Sequence, residues 1–386
     1  MSPFGKFLFC LTLLAAWRLS STLFTEAPPA PGVDPAFRNA SCLALAREAG
    51  VRAEGGTGSN FVISPLSIHA AFAKVAAGAR GDTLNELLRF LGSALLNELH
   101  RAAASELVSR LNGIAQTSFA SGVWVDRMLA LKPEFTAIAA SRYNATVESV
   151  DFVSGAEQAR QRVNAFVADA TNKQILQVLP PGSVNSGTAV VLANALYFKG
   201  AWTQPFDVST APFHIPGGTT VRVPSMTTSE SQQIAVYLGF RALKLPYKND
   251  AVSTPEFIKT HTPTKKVPVG QFMVPKFKFT SEFEVSSDMR KLGVTRAFQG
   301  GDFSGMMTGG EGISITGVYH KATIEVDEVG TVAAAATAVL YFGSAAPGAP
   351  RDLVDFVADR PFLFAVVEEE TDAVLFLGHL ANPLAH

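Results

Sequence analysis

A nearly unbroken apolar run in the middle of the chain, residues 190–198, constrains the fold more than any other segment. Asn194 is its one strongly polar residue, so the run lacks the apolar–polar alternation of a half-exposed strand. Such a run is typical of a strand that is buried on both faces. The chain has 386 residues, 47% of them hydrophobic and 17% charged, which is the composition of a globular protein with a large core.

Helical patterns precede this run, and strand patterns follow it. A helix is predicted over residues 64–78 with Ser64 as its N-cap, and a second helix begins at residues 82–86 with the spacing of a capping box. Residues 275–279 alternate like a half-exposed strand, and residues 362–377 predict a buried hairpin around an acidic turn. Because no βαβ repetition is present, the predicted fold class is α+β.

The first residues of the chain have the pattern of a secretory signal. Lys6 is followed by an apolar run and then by small residues, which predicts a signal peptide over residues 1–22. The apolar run is too short to span a bilayer. Arg18, directly after the run, disfavours cleavage, and the alternative is an ordinary apolar extension. Residues 23–36, rich in Pro and Ala, are predicted to form a flexible lead-in.

The predicted signal peptide indicates a secreted, extracellular protein; the alternative is a cytoplasmic one. Cleavage would remove Cys10 and leave Cys42 alone, without a partner for an intramolecular disulfide. On the secretory route the sequons at Asn39 and Asn144 could carry glycans, although such triplets are common by chance.

Composition and motifs argue against several classes of function. The formal net charge is −1 and no basic block is present, so nucleic-acid binding is not predicted. The seven histidines and two cysteines lack metal-ligand spacing, so neither a metal nor another cofactor is predicted. The chain has no nucleophile elbow, phosphate loop or zinc-protease motif, and it is therefore not predicted to be an enzyme.

A cluster of very small residues, 331–337, follows Gly330 and a strand-like run that ends at Glu328. Residues 343–350, composed of Gly, Ser, Ala and Pro, then predict an irregular and exposed loop. Small side chains let a segment enter a tight slot, and an exposed loop of this kind is where a protease can bind and cut. The alternative is an Ala-rich helix followed by a surface loop.

Four separated segments, in order along the chain, resemble the serpin family of protease inhibitors. They are NFVISPLSI, GARGDT, NALYFKGAW and FVADRPFLF, at residues 60–68, 78–83, 194–202 and 356–364. Residues 330–337 resemble the hinge of the family's loop, and the resemblance extends from about residue 37 to residue 383. Residues 269–273 and 355–359 are similar to the plant members.

The resemblance implies a single domain over residues 37–386, with three β-sheets, surrounding helices and an exposed reactive-centre loop at about residues 329–352. In this family a protease cleaves the loop and forms an acyl-enzyme with it. The cut loop then enters the central sheet as an extra strand and distorts the protease. The implied partners are serine proteases, with cysteine proteases as a further class, and the implied state is a monomer. The alternative is a non-inhibitory or defective protein with the same fold.

The resemblance assigns seven small residues to the hinge of the loop: Gly330, Thr331, Ala333, Ala334, Ala335, Ala336 and Thr337. Alternate side chains of an inserted strand face the core, and the inward set here is neither bulky nor charged. Family spacing places the reactive bond between Ser344 and Ala345, to within one residue. Small residues there favour an elastase-like protease, whereas Tyr341 and Phe342 favour a chymotrypsin-like one.

The resemblance also implies a polar cluster beneath the central sheet, the shutter, formed by Ser64, Ser67, Asn194 and His320. Hydroxyl, amide and imidazole groups can exchange hydrogen-bond partners when strands part. Trp202 and Lys199 would lie at the breach, where the loop begins to enter the sheet. The alternatives are a simple helix cap at Ser64, an ordinary strand histidine and a core tryptophan.

One part of the family pattern is missing. The strand that ends at Tyr247 should be followed by another strand and a helix, but only seven residues, 248–254, precede the next helix-like segment. The absent strand belongs in the middle of its sheet, beside the partner of the strand at residues 362–367. Its two neighbours are expected to lose backbone partners, at roughly 1–3 kcal/mol for each buried unpaired group. An incomplete gene model or a decaying gene copy is the favoured explanation; the other is that a different segment fills the gap.

Overall fold

The apolar run at residues 190–198 forms an inner strand of a five-stranded sheet. The computed structural model describes residues 7–14, 44–45, 48, 59–102, 117–200, 202–246, 262–329, 352–368 and 373–385. The strands of this sheet lie in the order β12 (Phe277–Glu284), β15 (Ile315–Val326), β5 (Val190–Lys199), β3 (Thr117–Asp126) and β4 (Thr146–Val150).

Helices surround this sheet and lie mostly in the first half of the chain. They are α1 (Pro65–Gly78), α2 (Gly81–Phe90), α3 (Leu96–Ala102), α4 (Pro133–Tyr143), α5 (Phe152–Ala170) and α6 (Ser286–Lys291). The predicted start of the first helix is confirmed, since the Ser64 hydroxyl accepts a hydrogen bond from the Ser67 N–H. Every residue of α1 is buried, so this helix lies inside the protein and not on its surface.

Two separate cores explain why β5 is apolar on both faces. Leu192 and Leu196 pack into one core, and Val191 and Ala193 pack into the other. Helix α1 contacts β5 on the first side, and α5 packs against β3 and β5 on the second. Because alternate residues of a strand point to opposite faces, a strand between two helix layers needs an apolar residue at nearly every position.

The second predicted helix is present, but the capping interaction predicted for it is not observed. Helix α2 begins at Gly81, and its N-cap, Arg80, makes no capping hydrogen bond through its side chain. The Glu86 carboxylate instead accepts hydrogen bonds from the backbone N–H groups of Thr295 and Arg296. The predicted capping box is therefore wrong, because a distant segment offers Glu86 two backbone donors.

The second large sheet has seven strands and contains the predicted hairpin. Its order is β10 (Lys266–Val267), β8 (Gln232–Tyr237), β9 (Phe240–Pro246), β1 (Phe7–Leu14), β17 (Phe362–Glu368), β18 (Ala373–Leu380) and β2 (Phe61–Ile63). All neighbouring strands in it are antiparallel. Helix α1 also contacts β18, so it lies between this sheet and the five-stranded one.

Strand β1 lies in the middle of this sheet, between β9, which ends just before the gap in the sequence pattern, and the strand β17 itself. The expectation that the two neighbours lose backbone partners is wrong, because both pair with β1. Of the explanations given above, the structure therefore agrees with the one in which a different segment fills the place of the missing strand. The other residues of the predicted signal peptide, 1–6 and 15–22, and the lead-in at 23–36 lie outside the described residues.

The third large sheet has four strands, in the order β16 (Val354–Val357), β11 (Val269–Pro275), β7 (Thr220–Thr227) and β6 (Asp207–His214). A short ribbon joins β13 (Gly301–Asp302) to β14 (Glu311–Ile313). The three predicted sheets are thus present. The alternation predicted at residues 275–279 begins at Phe277, because Pro275 ends the preceding strand, and β12 alternates between buried and exposed residues.

Candidate functional site

Strand β15, which precedes the predicted hinge, has two described neighbours in the five-stranded sheet. It pairs with β5 in parallel and with β12 antiparallel, and the β5–β15 pairing is called the junction below. Asn194 on β5 lies directly opposite His320 on β15. Ser64 and Ser67, at the start of α1, lie on the inner side of this junction and are fully buried. The structure therefore brings together the four residues that the sequence analysis assigned to the shutter.

Hydrogen bonds tie the start of α1 to both strands of the junction. The Asn194 side-chain N–H donates to the Ser67 carbonyl oxygen at 2.7 Å, and its longer approach to the Ser67 hydroxyl is 3.4 Å. The Ser64 backbone N–H donates to His320 Nε2 at 3.1 Å. A single helix end thus holds β5 through an amide and β15 through an imidazole.

His320 is neutral in this arrangement. Complete burial lowers the pKa of its imidazole to about 3, because a charged ring would lose its hydration. Since Nε2 accepts the hydrogen bond from Ser64, the proton of the neutral ring lies on Nδ1, which has no hydrogen-bond partner among the described residues. The histidine therefore keeps one unused donor beneath the junction.

Lys74 belongs to the same cluster, although the sequence analysis did not identify it. Its ammonium group donates to the Ser121 hydroxyl, which donates in turn to Asn194 Oδ1 at 3.2 Å. Ser121 on β3 lies directly opposite Asn194, so a polar row crosses β3, β5 and β15. The sequence does contain a signal for Lys74, because it is the one lysine, arginine or acidic residue in the buried helix α1.

Burial lowers the pKa of Lys74 from 10.5 to about 7. The cause is desolvation, since the side chain is fully buried and the described residues offer its nitrogen a hydroxyl and no carboxylate. A lysine in this position destabilises the closed sheet at neutral pH, because folding must either bury a charge or release a proton.

A second cluster lies at the end of the junction that is closer to the predicted hinge. Lys199 on β5 lies opposite Glu325 on β15 and forms ion pairs with Glu325 and, at 2.8 Å, with Asp327. The Trp202 indole N–H donates to the Asp327 carbonyl oxygen at 2.6 Å, and the ring is buried. Both residues that the sequence analysis assigned to the breach therefore contact residues shortly before the predicted hinge.

Glu325 is the centre of this cluster, and the sequence analysis missed it. Its carboxylate also pairs with Lys278 on β12 at 2.7 Å and accepts a hydrogen bond from the Tyr197 hydroxyl at 3.0 Å. Burial alone would raise the pKa of Glu325, but the hydrogen bonds from Lys199, Lys278 and Tyr197 outweigh it and lower the pKa to about 2. The charged row Lys199–Glu325–Lys278 therefore links three strands across the junction.

Of the remaining predicted sites, Asn144 alone lies within the described residues. The hinge from Gly330 to Thr337 and the bond between Ser344 and Ala345 lie in residues 330–351, outside the described residues. Asn39 also lies outside them. Asn144 is exposed at the carboxyl end of α4 in a left-handed conformation (φ 44°), so a glycan there would not meet the core.

In the part of the chain that the structure describes, no group of three or more His, Cys, Asp or Glu side chains is arranged to hold a metal ion. No helix within the same ranges is long and apolar enough to cross a membrane.

The family model for "Serpin (serine protease inhibitor)" matches this chain at residues 39–257 and 251–383. The chain belongs to the serpin family. It is 56% identical to serpin-Z12 of rice (Oryza sativa subsp. japonica), over 93% of this chain and 94% of that protein, and 40% identical to the rice serpin-ZXA, over 89% and 95%. Its fold resembles that of the Arabidopsis AtSerpin1, described as a native stressed conformation, with 32% identity, a TM-score of 0.80, and coverage of 92% and 100%.

The comparisons also locate the gap in this serpin. The family match consists of two pieces that overlap at residues 251–257, close to where the sequence pattern lacks a strand and a helix. The alignment with serpin-Z12 takes in about 359 residues of this chain (93% of 386) yet extends over 404 positions, so about 45 positions of that rice serpin face gaps here. The resemblance to plant serpins is confirmed by these relatives, and the family and fold support a protease-inhibitor function in general.

Lys74→Met is expected to stabilise this serpin at neutral pH. The unfolded chain keeps a proton on Lys74 up to about pH 10.5, whereas the folded protein releases it above about pH 7. Between these values the unfolded state binds more protons, so the stability of the native protein rises with pH by up to about 1.4 kcal/mol per unit. In the variant the free energy of unfolding should be higher at pH 7 and should lack this rise with pH, as measured by urea unfolding between pH 7 and 10. Lys173→Met, at an exposed ion pair, is the control and should keep the wild-type slope.

Glu325→Gln is expected to loosen the β5–β15 junction. The substitution removes the charge that pairs with Lys199 across the junction, at a cost of about 1 kcal/mol for these partly exposed groups. A synthetic peptide of residues 331–342 should then anneal to the variant faster than to the wild type, as followed by native gel electrophoresis. Glu282→Gln removes an ion pair with Lys321 between β12 and β15 and serves as the control. Equal annealing rates for all three proteins would contradict the role of Glu325.

Proposed function

We propose that this serpin inhibits serine proteases as a suicide substrate, with its loop cleaved near Ser344 and inserted between β5 and β15. The observation that carries the proposal is the β5–β15 junction itself. It is a parallel pairing in the middle of a sheet, it has buried polar groups beneath it, and the strand β15 leads directly toward the small residues of the hinge.

Strand direction favours insertion at this junction. A segment that turns back after β15 runs antiparallel to it, and one side of β15 is already paired with the antiparallel β12. On the other side β5 runs parallel to β15, so an entering strand would be antiparallel to both of its new neighbours. Antiparallel pairing is slightly more stable per residue than parallel pairing, and the added strand contributes a second ladder of hydrogen bonds. Insertion is therefore downhill once the junction opens.

The polar cluster lowers the barrier to opening. If β5 and β15 part, Asn194 and His320 no longer face each other, but the Ser67 carbonyl oxygen remains close to Asn194 and the Ser64 backbone N–H remains close to His320. Polar groups that can change partners avoid the full cost of being left unpaired. An apolar shutter would pack as a single unit and offer no such exchange.

The residues around Ser344 support an elastase-like target, since Gly343, Ser344 and Ala345 fit only a small or shallow specificity pocket tightly. Tyr341 and Phe342 provide a second set of residues for a chymotrypsin-like enzyme, and cysteine proteases are a further class. A non-inhibitory role of the same fold is the alternative to all three.

Thr331→Arg is expected to convert the inhibitor into a substrate. Wild-type protein incubated with an elastase-like and a chymotrypsin-like protease should form a complex that survives boiling in detergent. In the variant the protease should still cleave the loop, but no complex should form, because insertion would bury an arginine. Val332→Arg is the matched control, since this neighbouring side chain faces solvent after insertion and should leave complex formation intact. Cleavage of the wild type near Ser344 without any complex would instead support the non-inhibitory alternative.

Ser344→Arg is expected to redirect this serpin to trypsin-like proteases. An arginine at the cleaved position fits an acidic specificity pocket, so the rate of complex formation with trypsin should rise by about 100-fold. The rate with elastase should fall, and mass spectrometry of the released peptide should place the cut after residue 344. A cut that stays at a different bond in both proteins would assign the reactive bond to that position.

A further inference from the structure

The seven-stranded sheet contains a strand that the family match does not include. The match begins at residue 39, whereas β1 is Phe7–Leu14. This strand lies beside β9, the last strand before the break in the match, and on its other side it pairs with β17. Residues from the amino-terminal part of the chain therefore lie beside β9, where the strand absent from the sequence pattern would pair.

The direction of β1 is that of the missing strand. A strand that follows β9 through a hairpin would run antiparallel to β9, and β1 does so, from Leu8 opposite Pro246 to Leu14 opposite Phe240. It is also antiparallel to β17, from Phe7 opposite Glu368 to Thr12 opposite Leu363. Both ladders continue without a register shift, so β1 satisfies the facing edges of its two neighbours along most of their length.

The sheet could not close without a strand at this place. Neighbouring strands lie about 4.8 Å apart, so β9 and β17 are separated by roughly 10 Å and cannot bond to each other directly. Leu243 and Leu245 of β9 and Phe364 and Val366 of β17 are buried, which keeps water from the facing backbone groups. Each such group left unpaired costs about 1–3 kcal/mol, against a typical domain stability of about 5–15 kcal/mol.

The composition of Phe7–Leu14 fits a central strand. FLFCLTLL is almost continuously apolar, as a strand between two cores must be, and eight residues extend about 27 Å, which matches the seven-residue strands on either side. The same composition predicts the hydrophobic part of a signal peptide. The two roles exclude each other, because a segment removed by cleavage cannot pair with β9 and β17.

We propose that Phe7–Leu14 is a donor strand carried in the chain itself: it is retained in the folded protein and replaces the strand lost with the segment after Tyr247. Twenty-nine residues, 15–43, separate β1 from Ala44, a length that can span up to roughly 100 Å and so permits the return to the domain. The inference does not rest on protease inhibition, and its test uses no protease.

The native Cys10 allows a direct test of the register. Cys10 lies opposite Ala365 of β17, and directly opposite residues point to the same face with Cα atoms about 4.5–5.5 Å apart, within disulfide range. In a Cys42→Ser background, Ala365→Cys is expected to form an intramolecular disulfide with Cys10 in oxidised glutathione. The product would be a monomer that is lighter by two hydrogens, with the bond located by peptide mapping. Ala365 is a small buried residue, so cysteine is a conservative replacement.

Val366→Cys in the same background is the matched control. Val366 lies opposite Phe9, so its side chain points to the other face of the sheet and the introduced thiol should not reach Cys10. In the unmodified full chain, the amides of Phe7–Leu14 should exchange with deuterium as slowly as those of β9 and β17. This second measurement keeps the test decisive if either cysteine variant fails to fold.

Several outcomes would overturn the proposal. They are equal cross-linking of Ala365→Cys and Val366→Cys, rapid amide exchange over Phe7–Leu14, and a disulfide that links two chains, which would place the strand in a second copy. A chain expressed through the secretory route that loses residues 1–22 and keeps the thermal unfolding midpoint of the full chain would overturn it as well. Loss of folding on deletion of residues 1–14, restored by a synthetic peptide of residues 5–16, would support it.

Discussion

The backbone ladder between β5 and β15 is the interaction on which the other features depend. It is a parallel pairing in the middle of the central sheet, and each strand is held from below by the start of α1 and, near the hinge, by the ion pairs of Glu325. The ladder must be strong enough to keep the sheet closed. It must also be separable, because the same strands have to admit the loop for the proposed inhibition.

The polar composition of the predicted shutter is consistent with this double requirement. A close-packed apolar interior under β5 would add stability but would offer nothing to exchange when the strands part. This serpin has instead a row of Ser121, Asn194 and His320, with Lys74 beneath it. A buried lysine without a carboxylate partner among the described residues works against the closed state at neutral pH, since desolvation penalises its charge. The lysine thus makes the closed sheet less stable at the place where the proposed mechanism requires it to open.

The seven-stranded sheet presents a different constraint. Its interior strands have neighbours on both sides, and a sheet cannot omit an interior strand without leaving two facing edges unpaired. The sequence lacks the family's strand after β9, yet β9 and β17 both have a partner. Backbone hydrogen bonding places few demands on which part of the chain supplies the strand, provided that its length, direction and apolar character are right. That tolerance is what allows an amino-terminal segment to stand in for an internal one.

The sequence by itself determined the elements whose patterns are local. The unbroken apolar run predicted β5, Ser64 and Pro65 predicted the start of α1, and four separated motifs identified the family. Only the tertiary structure decided which distant groups meet. Glu86 accepts hydrogen bonds from two distant backbone N–H groups and does not cap its own helix. Lys74 donates to Ser121 on another element. Glu325 forms ion pairs with Lys199 and Lys278, which lie on the two neighbouring strands. The place of Phe7–Leu14 was decided in the same way. Its apolar sequence favours burial but does not specify where. The position is selected by the edges of β9 and β17, which would lack partners without it, because hydrogen bonds between strands depend on proximity in space and not in sequence.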